Sequence, residues 1–510
     1  MANETTTVDP VSTPTMVPAD MPRTVPGSNG HEPDDLNAIQ RELAGGGGGP
    51  GDYVGLKRWK VTLRGEIMAG LSTFLVMSYI AFVNPSILTQ VTDRAGTQLN
   101  FGEVLSATCW VAAALCIIMG VYARRPFAMA SGMGLNAFVA FSLVAAGGLL
   151  WGQAFGLVVL EGIIITLLVL TKFREAVMEA VPATLTKAIA AGIGLFLLFI
   201  GLNEGGIVAG NPTYALDPTV PPVQLGNFFS WTILITLVGL FVSLVLYKTG
   251  NRGALLIGII VATIVAIILN ALYNIYDPKL GWAIIPNSVV SAPATPRFFG
   301  IDLGSFGDSP LSAALNTFSL MLSDFFDTLG TFMGLALLAG FLTPRGKLSD
   351  PGKPLLVDSI GPILGGAFGA SSATTYIESG AGISAGGRTG ITAITVGVCF
   401  ALVPFFTPLV AIVPQQATAA ALIVVGIVMF SSLRDLEWDF GTLAPVVLTV
   451  VLMPLTYSIT NGIGAGFITY CLLALFSEKR NKIHPLMWVC AIAFVIYFAQ
   501  GTIRAILGVG

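Results

Sequence analysis

The feature that most constrains this chain is a series of long apolar blocks holding no charged residue, as at residues 231–247, 254–272 and 443–455. A helix of about 20 such residues crosses the ~30 Å hydrocarbon core of a bilayer with every backbone group bonded inside the segment. Only 10% of the 510 residues are charged, against roughly 25% in a soluble protein. That is too little charge to clothe a water-facing surface of this size. The sequence therefore reads as an all-α polytopic membrane protein embedded in the lipid bilayer.

Hydropathy places spans at roughly 65–89, 103–121, 128–147, 152–171, 183–202, 228–247 and 254–275. A second set lies at roughly 311–340, 354–370, 378–388, 390–413, 417–432, 440–457 and 463–477. The resulting organisation is a first seven-segment repeat at 56–275, a periplasmic connector at 276–310 carrying five prolines, and a second seven-segment repeat at 311–477. Residues 478–510 form a basic loop and a last apolar stretch, 485–506, which either spans the bilayer or lies on it. Residues 1–55 are rich in Thr, Pro, Asp and Glu and close on five glycines. They are expected to be a disordered cytoplasmic tail, and they hold no apolar region of the kind a cleaved signal peptide needs.

Lysine and arginine concentrate on cytoplasmic loops. With the tail inside, this topology puts nineteen of them on inner loops and span ends, and only Arg94, Lys279 and Arg297 outside. The bias supports a bacterial inner-membrane protein whose tail and final basic loop are both cytoplasmic. Nothing basic is clustered in the manner of a nucleic-acid binder. The five cysteines lie in apolar segments without metal-ligand spacing, and there are two histidines, so neither a metal nor a cofactor is expected.

Two segments resemble each other across the halves. Ser131-Gly-Met-Gly-Leu-Asn-Ala137 recurs as Ser379-Gly-Ala-Gly-Ile-Ser-Ala385, and Pro182 and Pro414 each precede a glycine twelve residues on, Gly194 and Gly426. An odd-numbered repeat of seven spans must place its second copy upside down, which is the inverted-repeat plan of many secondary transporters. Each copy follows a short stretch that reads as extended, Arg124–Ser131 and Gly369–Tyr376. Unpaired backbone at membrane depth is tolerated only where it is buried in protein or lines a cavity. Two half-helices, segments 3 and 10, are thus expected to face each other around a midplane site.

Acids mark that site. Asp324 and Asp327 sit inside an apolar span, on one helix face with Thr328 and Thr331, and Glu378 opens the second half-helix beside Tyr376 and Ser379. An acid at such depth costs on the order of 3 kcal/mol and normally marks a substrate or proton path. Asn136 is the fourth polar candidate. Carboxylates accept from N–H groups, Asn does both, and half-helix N–H groups donate. A planar neutral heterocycle such as a purine base suits that set; an inorganic anion suits it less. Glu161 and Asp358 have no counterpart in the other half and read as structural or peripheral coupling groups.

At these residues the chain resembles the AzgA-like purine permeases, the hypoxanthine–guanine–adenine branch of the nucleobase–cation symporter-2 and nucleobase–ascorbate transporter superfamily. The motifs are Arg64-Gly-Glu-Ile-Met-Ala-Gly-Leu-Ser-Thr-Phe, Ser131-Gly-Met-Gly-Leu-Asn-Ala-Phe and Asp324-Phe-Phe-Asp-Thr-Leu-Gly-Thr. To these are added Thr375-Tyr-Ile-Glu-Ser-Gly-Ala-Gly and Gly386-Gly-Arg-Thr-Gly. Ser131 stands where many relatives have proline. The resemblance implies fourteen segments in two inverted repeats, divided into core and gate domains that slide past one another, and frequent dimers. It implies proton-coupled import of purine bases. Asp324 and Glu378 are expected to hold the base, with Asn136 and Asp327 nearby. Gly134, Thr375, Ile377 and Ser379 of the same motifs are expected to take part in binding the base as well. Proton coupling is expected at Glu378 or Asp324.

Rival readings are a uracil, xanthine or anion carrier of the same fold, an intramembrane enzyme, and a channel. Pyrimidine and xanthine carriers of the superfamily typically show Gly-Glu-Asn where this chain has Ile377-Glu378-Ser379. An enzyme would need a nucleophile–base pair or a metal set, yet no His or Lys lies at membrane depth. Inverted repeats with broken helices suit alternating access better than a channel.

Overall fold

The computed structural model describes residues 56–59, 61–171, 182–215, 219–251, 253–277, 282–286, 288–341, 352–434, 436, 439–476 and 483–507. The expected tail at 1–55 and the basic residues 478–482 lie outside them. The described structure is helical, and eight of its helices are long and apolar enough to cross a membrane, with shorter apolar helices besides.

In the first half the main elements are α1 (Leu63–Met77), α2 (Ile80–Leu88), α3 (Phe101–Ile118), strand β1 (Met129–Ser131) and α4 (Met133–Ala137). They continue with α5 (Trp151–Leu170), α6 (Ala183–Glu204), a hairpin of β2 (Val208–Gly210) with β3 (Val223–Leu225), α7 (Trp231–Lys248) and α8 (Ala254–Tyr273). The second half holds α9 (Pro310–Ala339), α10 (Gly352–Ala367), β4 (Ala373–Thr375), α11 (Ser379–Ser384) and α12 (Gly390–Leu402). It ends with α13 (Gln415–Phe430), α14 (Phe440–Leu455), α15 (Ile459–Leu475) and α16 (Pro485–Leu507).

Several expected spans are more broken than hydropathy suggests. The first span divides at Ser78–Tyr79 into α1 and α2, the latter with Pro85 inside it. Proline withholds an N–H and crowds the preceding turn, which a helix absorbs by bending or breaking. Segment 3 is a strand, a single α-turn and then a wider π-helical stretch, Phe138–Ala146. Segment 10 holds only six helical residues. The stretch 485–506 forms one helix, packed on α15 and α9.

The helices pack in two sets. α6, α7, α8, α13, α14 and α15 neighbour one another, while α1, α2, α3, α5, α9, α10, α11 and α12 surround the strands. In the first set Gly194 and Gly426 meet reciprocally: a Cβ on Gly194 would lie 2.8 Å from the Gly426 carbonyl, and one on Gly426 would lie 2.6 Å from that of Gly194. Bare glycines let α6 and α13 cross at backbone contact, the arrangement that favours helix association in lipid.

The second set is pinned by Glu66. Fully buried in the first turn of α1, it accepts from the backbone N–H of Arg388 (2.8 Å) and Thr389 (3.2 Å) and from the Thr392 hydroxyl (2.6 Å). A carboxylate at the start of α12 satisfies N–H groups that have no partner within the helix and complements its dipole. The first-span motif is thus a cap for a helix more than 300 residues away.

Candidate functional site

The site is organised by two short strands in the interior of a helical protein. β1 and β4 pair antiparallel, Met129 opposite Thr375, Ala130 opposite Thr374 and Ser131 opposite Ala373, and all six residues are buried. The ladder is extended at both ends, by Tyr376 N–H to Ala128 O (2.9 Å) and Gly132 N–H to Ser372 O (2.9 Å). The Tyr376 hydroxyl donates to the Ser131 carbonyl. Non-helical backbone at this depth survives because each break satisfies the other.

The acid missing from the first expectation of the site is Asp358, on α10. Fully buried, it accepts through one oxygen from the Thr375 N–H (3.1 Å) and hydroxyl (2.9 Å), and through the other from Thr328 (2.8 Å). Thr328 also meets Thr374 across 3.0 Å. Together these bonds fasten β4 to α9 and α10. Sequence alone offers no means of seeing this, since nothing in the spacing pairs 358 with 328 and 375.

Of the named site residues, Glu378 stands in a turn between β4 and α11, half-buried, with Oε1 accepting from the Tyr79 hydroxyl at 2.8 Å. Tyr79 sits at the α1–α2 break, so the divided first span delivers its hydroxyl to the acid. Asp327 is half-buried on α9 and lies within electrostatic range of Glu378, Asp358, Tyr79 and Tyr376. Asp324, one turn earlier, is fully buried and interacts electrostatically with Glu161 of α5. The two acids of α9 therefore have different surroundings: Asp327 faces Glu378, and Asp324 faces Glu161.

Asn136 is fully buried in α4, and neither its amide nitrogen nor its amide oxygen has a hydrogen-bond partner among the described residues. Buried amides are nearly always paired, so such a group is a place for a ligand or water to bind. Gly134 packs against Ile193 of α6, whose methyl occupies the space a Cβ would take. Thr375 is consumed by Asp358. The Ser379 hydroxyl is likewise engaged, accepting the Ala128 N–H at 2.9 Å, so it ties α11 to the residue before β1. Ile377 is 51% exposed beside Glu378. The strand–helix breaks and α9 thus present one half-buried carboxylate with a fixed orientation, a second half-buried acid near it, and a buried amide without a partner among the described residues. Chemically, that set suits a neutral ligand with several N–H donors and acceptors better than an anion.

The Permease family model Xan_ur_permease matches residues 64–465. The guanine/hypoxanthine permease PbuG of Bacillus subtilis is 38% identical over 443 residues, 85% of this chain and 96% of that protein. The adenine permease AdeP of Escherichia coli is 37% identical over 445 residues, covering 86% of this chain and 94% of that one. Among solved structures, the transmembrane domain of the cyanobacterial bicarbonate transporter BicA matches with a TM-score of 0.55 at 18% identity, over 85% of this chain and 97% of that domain. At that identity the likeness concerns the fold alone.

Proposed function

Because this chain belongs to the Permease family, and is thus a multi-pass membrane transporter rather than an enzyme, we propose that it imports purine nucleobases together with a proton. The observations that carry this reading are the fully buried amide of Asn136 in one strand–helix break, without a partner among the described residues, and the oriented carboxylate of Glu378 in the other. A purine offers ring N–H donors to the carboxylate and carbonyl or ring-nitrogen acceptors to the amide. Relatives named for guanine, hypoxanthine and adenine, alike along nearly their whole length, support the same substrate class.

In this reading Asn136, Asp327 and Glu378 contact the base directly, with Asp324 behind them, while Gly134, Thr375 and Ser379 fix the geometry of the breaks and Ile377 borders the opening. The proton is carried at Glu378 or at Asp324. The fold is read as fourteen segments in two inverted repeats. The antiparallel β1–β4 pair and the reciprocal Gly194–Gly426 contact support that symmetry. The two helix sets then correspond to gate and core, moving past one another in alternating access. The distribution of Lys and Arg supports an inner-membrane location with the tail inside.

Uptake of radiolabelled hypoxanthine, guanine, adenine, xanthine and uracil into cells lacking their own base carriers tests the proposal. Uptake of at least one of the first three, abolished by a protonophore, is expected. Uptake of uracil or xanthine alone, or of no base by protein present in the membrane, would contradict it.

A further inference from the structure

One buried acid has no part in the site so far. Glu161 is fully buried in the middle of α5, and neither of its carboxylate oxygens makes a hydrogen bond of normal geometry among the described residues. The other fully buried acids that serve the scaffold look different. Glu66 accepts from three donors and Asp358 from three. A carboxylate kept at membrane depth without such support has no structural purpose that offsets its cost.

Its surroundings narrow what it can do. One turn along the same face of α5, Ile165 packs with Met321 and Phe325 of α9. Glu161 therefore faces α9 at Asp324, with which it interacts electrostatically. From the stretch before β4, the Ser372 hydroxyl lies within weak hydrogen-bonding reach of Glu161, and it has no bond of normal geometry among the described residues. From α10, the other long helix against α5, the charged groups are Asp358, held by Thr328 and Thr375, and Lys353, exposed at the helix start. The π-helical stretch Phe138–Ala146 brings no titratable group. No cation faces Glu161 from these described elements. Two carboxylates within electrostatic range in a low-dielectric interior repel each other, and the arrangement is eased when one of them holds a proton.

We propose that Glu161 holds the transported proton, paired with Asp324, so that occupancy of the base site and protonation are coupled across the α5–α9 contact. This rests on the symport reading above and adds to it a proton site outside the two strand–helix breaks. The chemistry is simple. On loading, a proton from the outer water forms an O–H bond on Glu161; on unloading, that bond breaks and the proton leaves to the inner water.

The test uses the full-length protein in proteoliposomes containing a pH-sensitive dye, with hypoxanthine as the substrate and the wild type in parallel. Glu161→Gln is a fixed, neutral copy of the protonated form. It is expected to move hypoxanthine down its own gradient without accompanying protons, so that the accumulation ratio under an imposed proton gradient falls to about 1. Wild-type proton-to-base stoichiometry in this variant would overturn the assignment. So would loss of hypoxanthine binding, or binding with no transport at all, because a copy of the loaded form must still complete the loaded half of the cycle. Should Glu161→Gln not reach the membrane, Glu161→Asp carries the test. A displaced pH midpoint of uptake is expected there, and the wild-type midpoint would overturn the proposal. Absence of proton-driven base uptake by the wild type itself would refute the symport reading as well, which separates that failure from one confined to Glu161.

Discussion

The two strand–helix breaks share a motif but are built differently. Aligning Ser131 with Ser379 superposes S-G-x-G on S-G-x-G, yet β1 ends at Ser131 and β4 already at Thr375. In the first break a single residue, Gly132, joins strand to helix. In the second the chain interposes Tyr376, Ile377 and Glu378 before α11 begins. That added turn brings the acid into the site and is held from outside, by Tyr79 to Glu378 and by Tyr376 to the Ser131 carbonyl. The first break contributes a neutral amide without a partner among the described residues, Asn136, and packs so closely on α6 that Gly134 leaves no room for a side chain. One break is thus a rigid neutral anchor, and the other is a charged and braced one. The two breaks thus differ in a junction of one residue against three.

Four substitutions break or sharpen this contrast, in order of decreasing effect. Asp358→Ala strands the two Thr375 donors and Thr328 that hold β4 in place. Each buried donor left unmade costs about 1–3 kcal/mol, so the protein should lose several kcal/mol of stability, seen as a sharply lower melting temperature in detergent. An unchanged melting temperature would mean that β4 is held by something else. Glu378→Gln should leave melting nearly intact while lowering kcat/KM for purine uptake about 100-fold, the value of a charge-assisted hydrogen bond. Asn136→Ala should raise KM about tenfold with no loss of stability, since its amide bonds nothing among the described residues; a large drop in melting temperature would assign it to the scaffold instead. Tyr79→Phe removes only the brace on Glu378, and about a threefold fall in uptake is expected.

Much of this was legible beforehand, for identifiable reasons. Apolar blocks of 18–22 residues, such as α7, α8 and α6, announce themselves because lipid accepts little else. Acids such as Asp324, Asp327 and Glu378 stand out because such residues are rare in apolar spans. The extended stretches before segments 3 and 10 could be read from Pro126, the glycines and the run of Ser and Thr. Pairings between distant segments could not be read. Glu66 looks like a surface residue at a span end until Arg388 and Thr392 are placed against it. Tyr79 looks like core filler until α1 breaks beside it, and Asp358 looks peripheral until β4 folds onto it. The length of the second junction was hidden as well, because the shared motif aligns past it.

Both breaks are proposed to hold one base between them. A structure of the protein with hypoxanthine bound tests this most directly. The account predicts the purine ring within about 2.7–3.2 Å of both the Glu378 carboxylate and the Asn136 amide. A base seated elsewhere, or touching one break and not the other, would contradict it.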